Sequence, residues 1–174
     1  AVIARTATTS TTSAMPSART RARGRSAFGA NHSSRAPRTG HAMSVVSQGD
    51  HVLAADCAYG PVRTLDQNVL QRMGIQTTYC EPTVEAFSAA LTPATKVLYV
   101  ESPGSLLMQM LDMPALAAFA KAHDLILIAD NTWGSGLSYQ PLSLGADVSV
   151  VAGTKYVGGH SDLMLGAVIA KDKA

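Results

Sequence analysis

The stretch Val150-Val-Ala-Gly-Thr-Lys-Tyr-Val-Gly-Gly-His-Ser-Asp162 decides the fold. It consists of a short apolar run followed by a lysine, Lys155, in a segment that contains glycines. A second apolar run upstream, Leu125-Ile-Leu-Ile-Ala129, leads into Asp130 in the same way. Short apolar runs bounded by glycine and polar residues are typical of buried β-strands. The pattern therefore predicts two buried strands. Asp130 lies at the end of the first along the chain, and Lys155 follows the second.

From residue 45 onward the chain alternates between strand and helix patterns. We predict further strands at residues 51–55, 75–79, 96–101, 148–151 and 164–170, and helices at residues 62–73, 84–91 and 112–123. Strands separated by helical segments favour an α/β fold, in which a mostly parallel sheet carries helices on both faces. Ligands bind such sheets beyond the carboxyl ends of the strands. Glu101-Ser-Pro, Asp130-Asn-Thr and Gly153-Thr-Lys all fall there, so we expect the functional site at this edge.

The pair formed by Lys155 and Asp130 matches the chemistry of a pyridoxal phosphate enzyme. Such an enzyme uses a lysine to form the Schiff base with the cofactor. It also uses a carboxylate to keep the pyridine nitrogen protonated, because the charged ring stabilises a carbanion beside the imine. Thr154 and the backbone N–H groups of the glycine-containing turn are suited to holding a phosphate. We therefore predict pyridoxal 5'-phosphate as the cofactor, and no metal site.

Four ordered motifs resemble the Cys/Met metabolism family of pyridoxal phosphate-dependent enzymes. The motifs are Asp56-Cys-Ala-Tyr-Gly-Pro61, Val100-Glu-Ser-Pro-Gly-Ser105, Ala129-Asp-Asn-Thr-Trp133 and the stretch from Gly153 to Asp162. The resemblance extends from about Gln48 to the end of the chain. It implies that residues 44–174 form the central part of a fold type I large domain, similar to that of aspartate aminotransferase.

The resemblance also implies a role for each site residue. Lys155 would carry the Schiff base and move a proton between Cα and the leaving group, and Asp130 would pair with the pyridinium nitrogen. Tyr59 would stack over the cofactor ring and take part in acid–base steps, and Thr154 would contact the phosphate. Many relatives have a phosphate-binding serine at the position of Ala152, which removes one hydroxyl ligand here.

Within the family, the Ser-Pro-Gly-Ser motif and Trp133 are most similar to the β-lyase branch. The resemblance thus implies a C–S lyase that cleaves cystathionine by β-elimination to homocysteine, pyruvate and ammonia, in transsulfuration and methionine biosynthesis. It implies an amino-acid thioether as substrate and a homotetramer built as a dimer of dimers. The alternatives are a cystathionine γ-lyase, a γ-synthase, a methionine γ-lyase, a sulfhydrylase, or an inactive truncated fragment.

Residues 1–43 differ in composition from the rest of the chain. They hold seven of the fourteen basic residues and no acid, which gives +7, whereas the other seven basic residues face all twelve acids, which gives −5. This Arg-, Ser- and Ala-rich segment cannot bury enough apolar surface to offset its ordering entropy, so we predict disorder. A transit peptide and a nucleic-acid-binding tail are alternatives. We favour a frameshift or gene-fragment artefact, because the family's phosphate loop has no match just before Gln48.

The remaining features exclude other classes of protein. The chain has 174 residues, of which 47% are hydrophobic, and it contains no apolar run near the roughly 18 residues that span a bilayer. Cys57 and Cys80 form neither a metal-spaced motif nor a disulfide framework. We therefore expect a cytoplasmic protein without a membrane or nucleic-acid partner.

Overall fold

The computed structural model describes residues 2–3 and 45–171. The predicted disorder of residues 1–43 therefore lies outside the described residues, except at Val2 and Ile3. The strands are β1 (Val2–Ile3), β2 (His51–Ala55), β3 (Gln76–Cys80), β4 (Thr95–Glu101), β5 (Ile126–Asp130), β6 (Val148–Val151) and β7 (Ala167–Ala170); the α-helices are α1 (Gly60–Leu65), α2 (Val84–Ala90) and α3 (Met113–Ala122). No helix in this part of the chain is long and apolar enough to cross a membrane.

The strands form one sheet in the order β1-β7-β6-β5-β4-β2-β3. The five strands from β3 to β6 in this order run parallel to one another, whereas β7 is antiparallel to β6 and β1 is antiparallel to β7. The predicted α/β fold with a mostly parallel sheet is confirmed. β7 begins at Ala167 rather than at residue 164, because the backbone N–H and C=O of Leu165 bond to Thr154 instead. The sequence does not predict β1, since two residues carry no periodicity.

Two separate cores lie on the two faces of the sheet, because successive side chains of a strand point to opposite faces. On one face, Leu98 of β4 and Leu127 of β5 pack in a cluster with Phe87 of α2 and Phe119 of α3. The rings of Phe87 and Phe119 stack with their centroids 6.4 Å apart. α2 and α3 therefore cover this face.

The helical segment that follows β2 lies on the other face. A cavity of about 70 Å³ separates it from the sheet, with Val62 and Leu65 on the helix side and Tyr99 on the sheet side. Asp66 also lines this cavity and is buried, and its Oδ1 accepts a hydrogen bond of 2.9 Å from the Thr77 hydroxyl on β3. The prediction of helices on both faces is thus confirmed.

The helix predicted at residues 62–73 is present but not regular. After α1 the chain continues through a π-helical turn, Asp66–Leu70, and a 3-10 turn, Gln71–Met73. Gly74 ends it with a φ of 75°, a left-handed conformation that favours glycine. A Cβ at Gly74 would also lie 2.8 Å from the Gln48 side chain. The sequence therefore marks where the helix ends but not the wider turn within it.

α3 begins as its sequence predicts. The Asp112 side chain accepts the N–H of Ala115 at 3.1 Å, and Pro114 lies in the first turn, where its missing N–H costs no hydrogen bond. Leu116 and Ala120 lie on the buried side of the helix. A capped and well-packed α3 fixes β4 and β5 from one side, so the ends of these strands are held firmly.

We expect Leu98→Ala to lower the free energy of unfolding by about 2–5 kcal/mol, the usual cost of truncating a buried leucine. Leu98 is fully buried in the core beneath α2 and α3. Leu106→Ala is the control, because Leu106 is 94% exposed and its truncation should change the free energy of unfolding by less than about 0.5 kcal/mol. Urea unfolding followed by circular dichroism measures both. Equal losses would contradict the assigned core.

Candidate active site

The candidate site lies at the carboxyl ends of β2, β4, β5 and β6. Strand register brings these ends together, since Glu101 pairs with Asp130, and Asp130 pairs with Val150. The segments that follow the four strands carry Tyr59, Ser105, Thr132 and Lys155. The polar clusters that the sequence places beyond strand ends therefore meet at one edge of the sheet.

Lys155 and Tyr59 are brought into contact by the segments after β6 and β2. The Nζ atom of Lys155 lies 4.3 Å from the centroid of the Tyr59 ring. An ammonium at this distance is attracted by the negative face of the ring. Lys155 is exposed, and Tyr59 is 44% exposed, so both side chains are accessible from solvent. The structure thus joins two of the four residues that the sequence assigns to the site.

The backbone turn around Lys155 is compact. The N–H of Lys155 donates to the carbonyl of Ala152, and the N–H of Gly159 donates to the carbonyl of Lys155. A Cβ at Gly153 would lie 2.9 Å from the Leu165 side chain, so glycine is needed for this close approach. Gly153 therefore lets the segment fold back tightly against Leu165 beside Lys155.

Glu101 at the end of β4 ties the Tyr59 segment to the sheet. Its Oε2 accepts the backbone N–H of Tyr59 at 2.7 Å, and its Oε1 accepts the Ser105 hydroxyl at 3.0 Å. Burial raises the pKa of Glu101 above its ordinary 4.5, and the charge of Asp130 raises it further. The two hydrogen bonds and the charge of Lys155 act against this rise. The Glu101 carboxyl group therefore interacts both with the backbone of Tyr59 and with the charge of Lys155.

Asp130 at the end of β5 is held by three hydrogen bonds. Its Oδ1 accepts the N–H of Thr132 at 3.0 Å and the Thr132 hydroxyl at 2.7 Å, and its Oδ2 accepts the Tyr99 hydroxyl at 3.2 Å. The Thr132 oxygen in turn accepts the N–H of Ala152 at 2.9 Å. This chain of bonds connects Asp130 to the segment that carries Lys155.

Thr154 lies next to Lys155, but its hydroxyl bonds to the backbone. It accepts the N–H of Leu165 at 2.8 Å and donates to the carbonyl of Leu165 at 3.2 Å. The same carbonyl also accepts the N–H of Thr154 at 2.9 Å. The structure thus places Thr154 at the site with its hydroxyl occupied by Leu165, and its role toward a phosphate stays a prediction.

Trp133, Tyr156 and His160, from the segments after β5 and β6, are exposed to solvent. The rings of Trp133 and Tyr156 are 5.5 Å apart, and both side chains are exposed. His160 is exposed as well, with its Nδ1 at 3.3 Å from the Gly158 carbonyl oxygen.

Tyr99 is the main functional candidate that sequence reasoning missed. It sits in the middle of a predicted strand, where an aromatic residue is ordinarily a core residue. Its alternation with Glu101 places it on the same side of the sheet as Asp130, and strand register supplies the rest. The alternation of side chains along β4 therefore indicates the face on which Tyr99 lies. Its proximity to Asp130 follows only once β4 is known to pair with β5.

The fold and the four motifs define the class of pyridoxal phosphate-dependent enzymes. The sequence model of the family described as Cys/Met metabolism PLP-dependent enzyme matches residues 7–174, and the chain belongs to this family. This membership confirms the predicted family and the predicted cofactor, pyridoxal phosphate.

Proteins similar to this chain include cystathionine lyases. The chain is 60% identical over 132 residues to the cystathionine beta-lyase of Bordetella avium, a match that covers 76% of this chain and 33% of that protein. It is 38% identical over 132 residues to the cystathionine gamma-lyase of Bacillus subtilis, covering 75% of this chain and 35% of that protein. The chain spans about one third of the length of these relatives.

Solved structures show the same fold. The structure of cystathionine gamma-lyase from Lactobacillus plantarum complexed with L-serine is similar to this chain with a TM-score of 0.72 and 38% identity. The similarity covers 75% of this chain and 34% of that chain. Because β- and γ-lyases both occur among the relatives, family membership alone does not distinguish the two reactions.

We expect Glu101→Gln to gain stability relative to the unmodified chain as the pH rises from about 4 to about 7. The pKa of Glu101 is raised in the folded state, so its contribution to stability is full below the unfolded value of 4.5 and is lost as the pH rises through the folded value. The glutamine variant lacks this titration. Urea unfolding at several pH values measures the difference.

The matched control is Glu81→Gln, because Glu81 lies on the surface. Unfolding of this variant is measured over the same pH range, and we expect a larger gain in stability with rising pH for Glu101→Gln. An equal pH dependence in the two variants would contradict the raised pKa of Glu101.

Proposed function

We propose that residues 44–174 form the cofactor-binding part of a pyridoxal phosphate-dependent C–S lyase that cleaves cystathionine by β-elimination. The observation that carries this proposal is the contact of Lys155 with the Tyr59 ring, beside an aspartate that three hydrogen bonds hold at the neighbouring strand end. The 60% identity with a cystathionine beta-lyase supports the β-elimination reaction over γ-elimination.

The side chains at this edge fit the ring of the cofactor. Each carboxylate oxygen can accept about two hydrogen bonds. Oδ1 of Asp130 accepts two from Thr132, whereas Oδ2 accepts one from Tyr99, so Oδ2 has an acceptor position left for a ring N–H. Tyr59 offers an aromatic face on which a pyridine ring can stack, and Lys155 contacts that same face.

The Thr154 hydroxyl must change its hydrogen-bond partner before it can donate to the phosphate of the cofactor. The Thr154 hydroxyl donates to the Leu165 carbonyl, and that carbonyl keeps a second donor, the backbone N–H of Thr154. The hydroxyl hydrogen can therefore turn toward a phosphate without leaving the carbonyl unpaired. The second donor to the Leu165 carbonyl supports Thr154 as a phosphate ligand beside the N–H groups of the turn.

When bound, pyridoxal phosphate supplies an electron sink for the charge that develops at the substrate Cα. Asp130 holds the ring nitrogen in its protonated form by accepting its N–H. Lys155 takes the proton from Cα and returns it to the departing sulfur. Tyr59 keeps the amine beside its ring and offers a phenol as a second acid–base group.

The atoms balance for a β-elimination. The Cα–H and Cβ–S bonds of cystathionine break, a Cα=Cβ bond forms, and the proton reaches the sulfur, which leaves as homocysteine. The remaining enamine takes up water to give pyruvate and ammonia.

We propose in addition that the full protein is a cytoplasmic homotetramer, on the basis of the family resemblance.

The second candidate reaction is γ-elimination, favoured by the similarity to γ-lyases in both sequence and structure. The products distinguish the two, because cleavage on the other side of sulfur releases cysteine and 2-oxobutanoate. Detection of homocysteine and pyruvate from cystathionine would support the β-lyase, and detection of cysteine would overturn it. A chain that binds the cofactor but releases neither pair would support the alternative of an inactive fragment.

We expect borohydride to trap pyridoxal phosphate on Lys155 when the cofactor is added in less than equimolar amount. Reduction converts the lysine–cofactor link to a stable amine, and peptide mass spectrometry locates the added mass. Lys155→Ala should lose most of the label, whereas Lys121→Ala, which removes an exposed lysine of α3, should keep it. Equal labelling of all lysines in the unmodified chain would contradict the proposed role of Lys155.

A further inference from the structure

The hydrogen bonds of Asp130 leave its two oxygens in different states. Oδ1 is saturated by the N–H and the hydroxyl of Thr132, at 3.0 and 2.7 Å. Oδ2 accepts only the Tyr99 hydroxyl, at 3.2 Å, among the described residues. A ring N–H that pairs with Asp130 must therefore use Oδ2 and share this oxygen with Tyr99.

Tyr99 is well placed to hold this bond. It precedes Glu101 by two residues on β4, and its register partner Ile128 precedes Asp130 by two on β5, so its hydroxyl reaches along the strands to the carboxylate. Burial raises the pKa of the Tyr99 phenol well above its ordinary 10, and the charge of Asp130 raises it further. The phenol therefore stays protonated and acts as a hydrogen-bond donor across the ordinary pH range.

We propose that Tyr99 is a positioning residue whose hydroxyl limits how strongly Asp130 holds the ring proton of the cofactor. The inference rests on the proposed function, since it concerns the carboxylate that pairs with the ring nitrogen. A donor on Oδ2 draws negative charge from that oxygen, so the second donor on the same oxygen is held less firmly. Tyr99 thus sets the strength of the electron sink without touching the substrate.

The other charged and titratable groups around Asp130 remain when the Tyr99 hydroxyl is removed. Glu101 at the end of β4 interacts with Asp130 directly, Lys155 beyond β6 interacts with Glu101, and Tyr79 on β3 interacts with Tyr99. Tyr79 is a natural control because it also lines the cavity beneath α1, and its buried hydroxyl makes no hydrogen bond to Asp130. A difference between Tyr99→Phe and Tyr79→Phe therefore isolates the bond to Oδ2.

The experiment uses the full chain loaded with pyridoxal phosphate that carries nitrogen-15 in the ring. The ring resonance reports whether this nitrogen is protonated, and its pH midpoint is compared among variants. In Tyr99→Phe we expect the midpoint to rise by about one pH unit, a tenfold gain in proton affinity. In Tyr79→Phe we expect no change.

A second variant at Tyr99 distinguishes a change in this hydrogen bond from a defect in folding. Replacing Tyr99 with 3-fluorotyrosine keeps its shape and makes its hydroxyl a stronger donor, so the midpoint should fall. An unchanged midpoint in both Tyr99 variants, or an equal shift in Tyr79→Phe, would overturn the inference while the cofactor site stands. If the unmodified chain gives no Lys155-dependent cofactor signal, the proposed function fails and the role of Tyr99 falls with it.

Discussion

Glu101 and Asp130 bring two carboxylates to paired positions on adjacent strands, and the arrangement of this edge depends on keeping both of them there. Like charges at such close range and in a partly buried setting raise the free energy of the folded state unless donors compensate. The compensation comes from the segments that leave the sheet, through the N–H of Tyr59, the hydroxyl of Ser105 and both donors of Thr132.

This requirement explains why the segments beyond the strands hold definite positions. The turn after β2 is tied to Glu101 by its backbone, and Lys155 rests on the ring that this turn carries. The segment after β6 is tied to Asp130 through Ala152 and Thr132. The same bonds that stabilise the carboxylates therefore also hold the turn that Lys155 contacts and the segment that carries Lys155.

The sequence alone predicts those parts of the fold and the site that depend only on residues close together in the chain. Apolar runs that end in Asp130 or precede Lys155 predict strands with functional residues at their ends, and Asp112 with Pro114 predicts the start of α3. Side-chain direction and strand pairing are not local. For that reason the bond from Tyr99 to Asp130, the link from Glu101 to Tyr59, and the hydroxyl of Thr154 turned toward Leu165 could not be predicted from periodicity.

The pocket of about 70 Å³ beneath the helical segment after β2 is partly open to solvent, which makes the two covers of the sheet unequal. α1 has no buried residue, whereas α3 buries Met113, Leu116, Phe119 and Ala120. An element with few buried apolar contacts opens locally at a lower cost in free energy. The backbone amides of α1 should therefore exchange their hydrogens for deuterium faster than those of α3, so the cover next to Tyr99 is the less protected of the two.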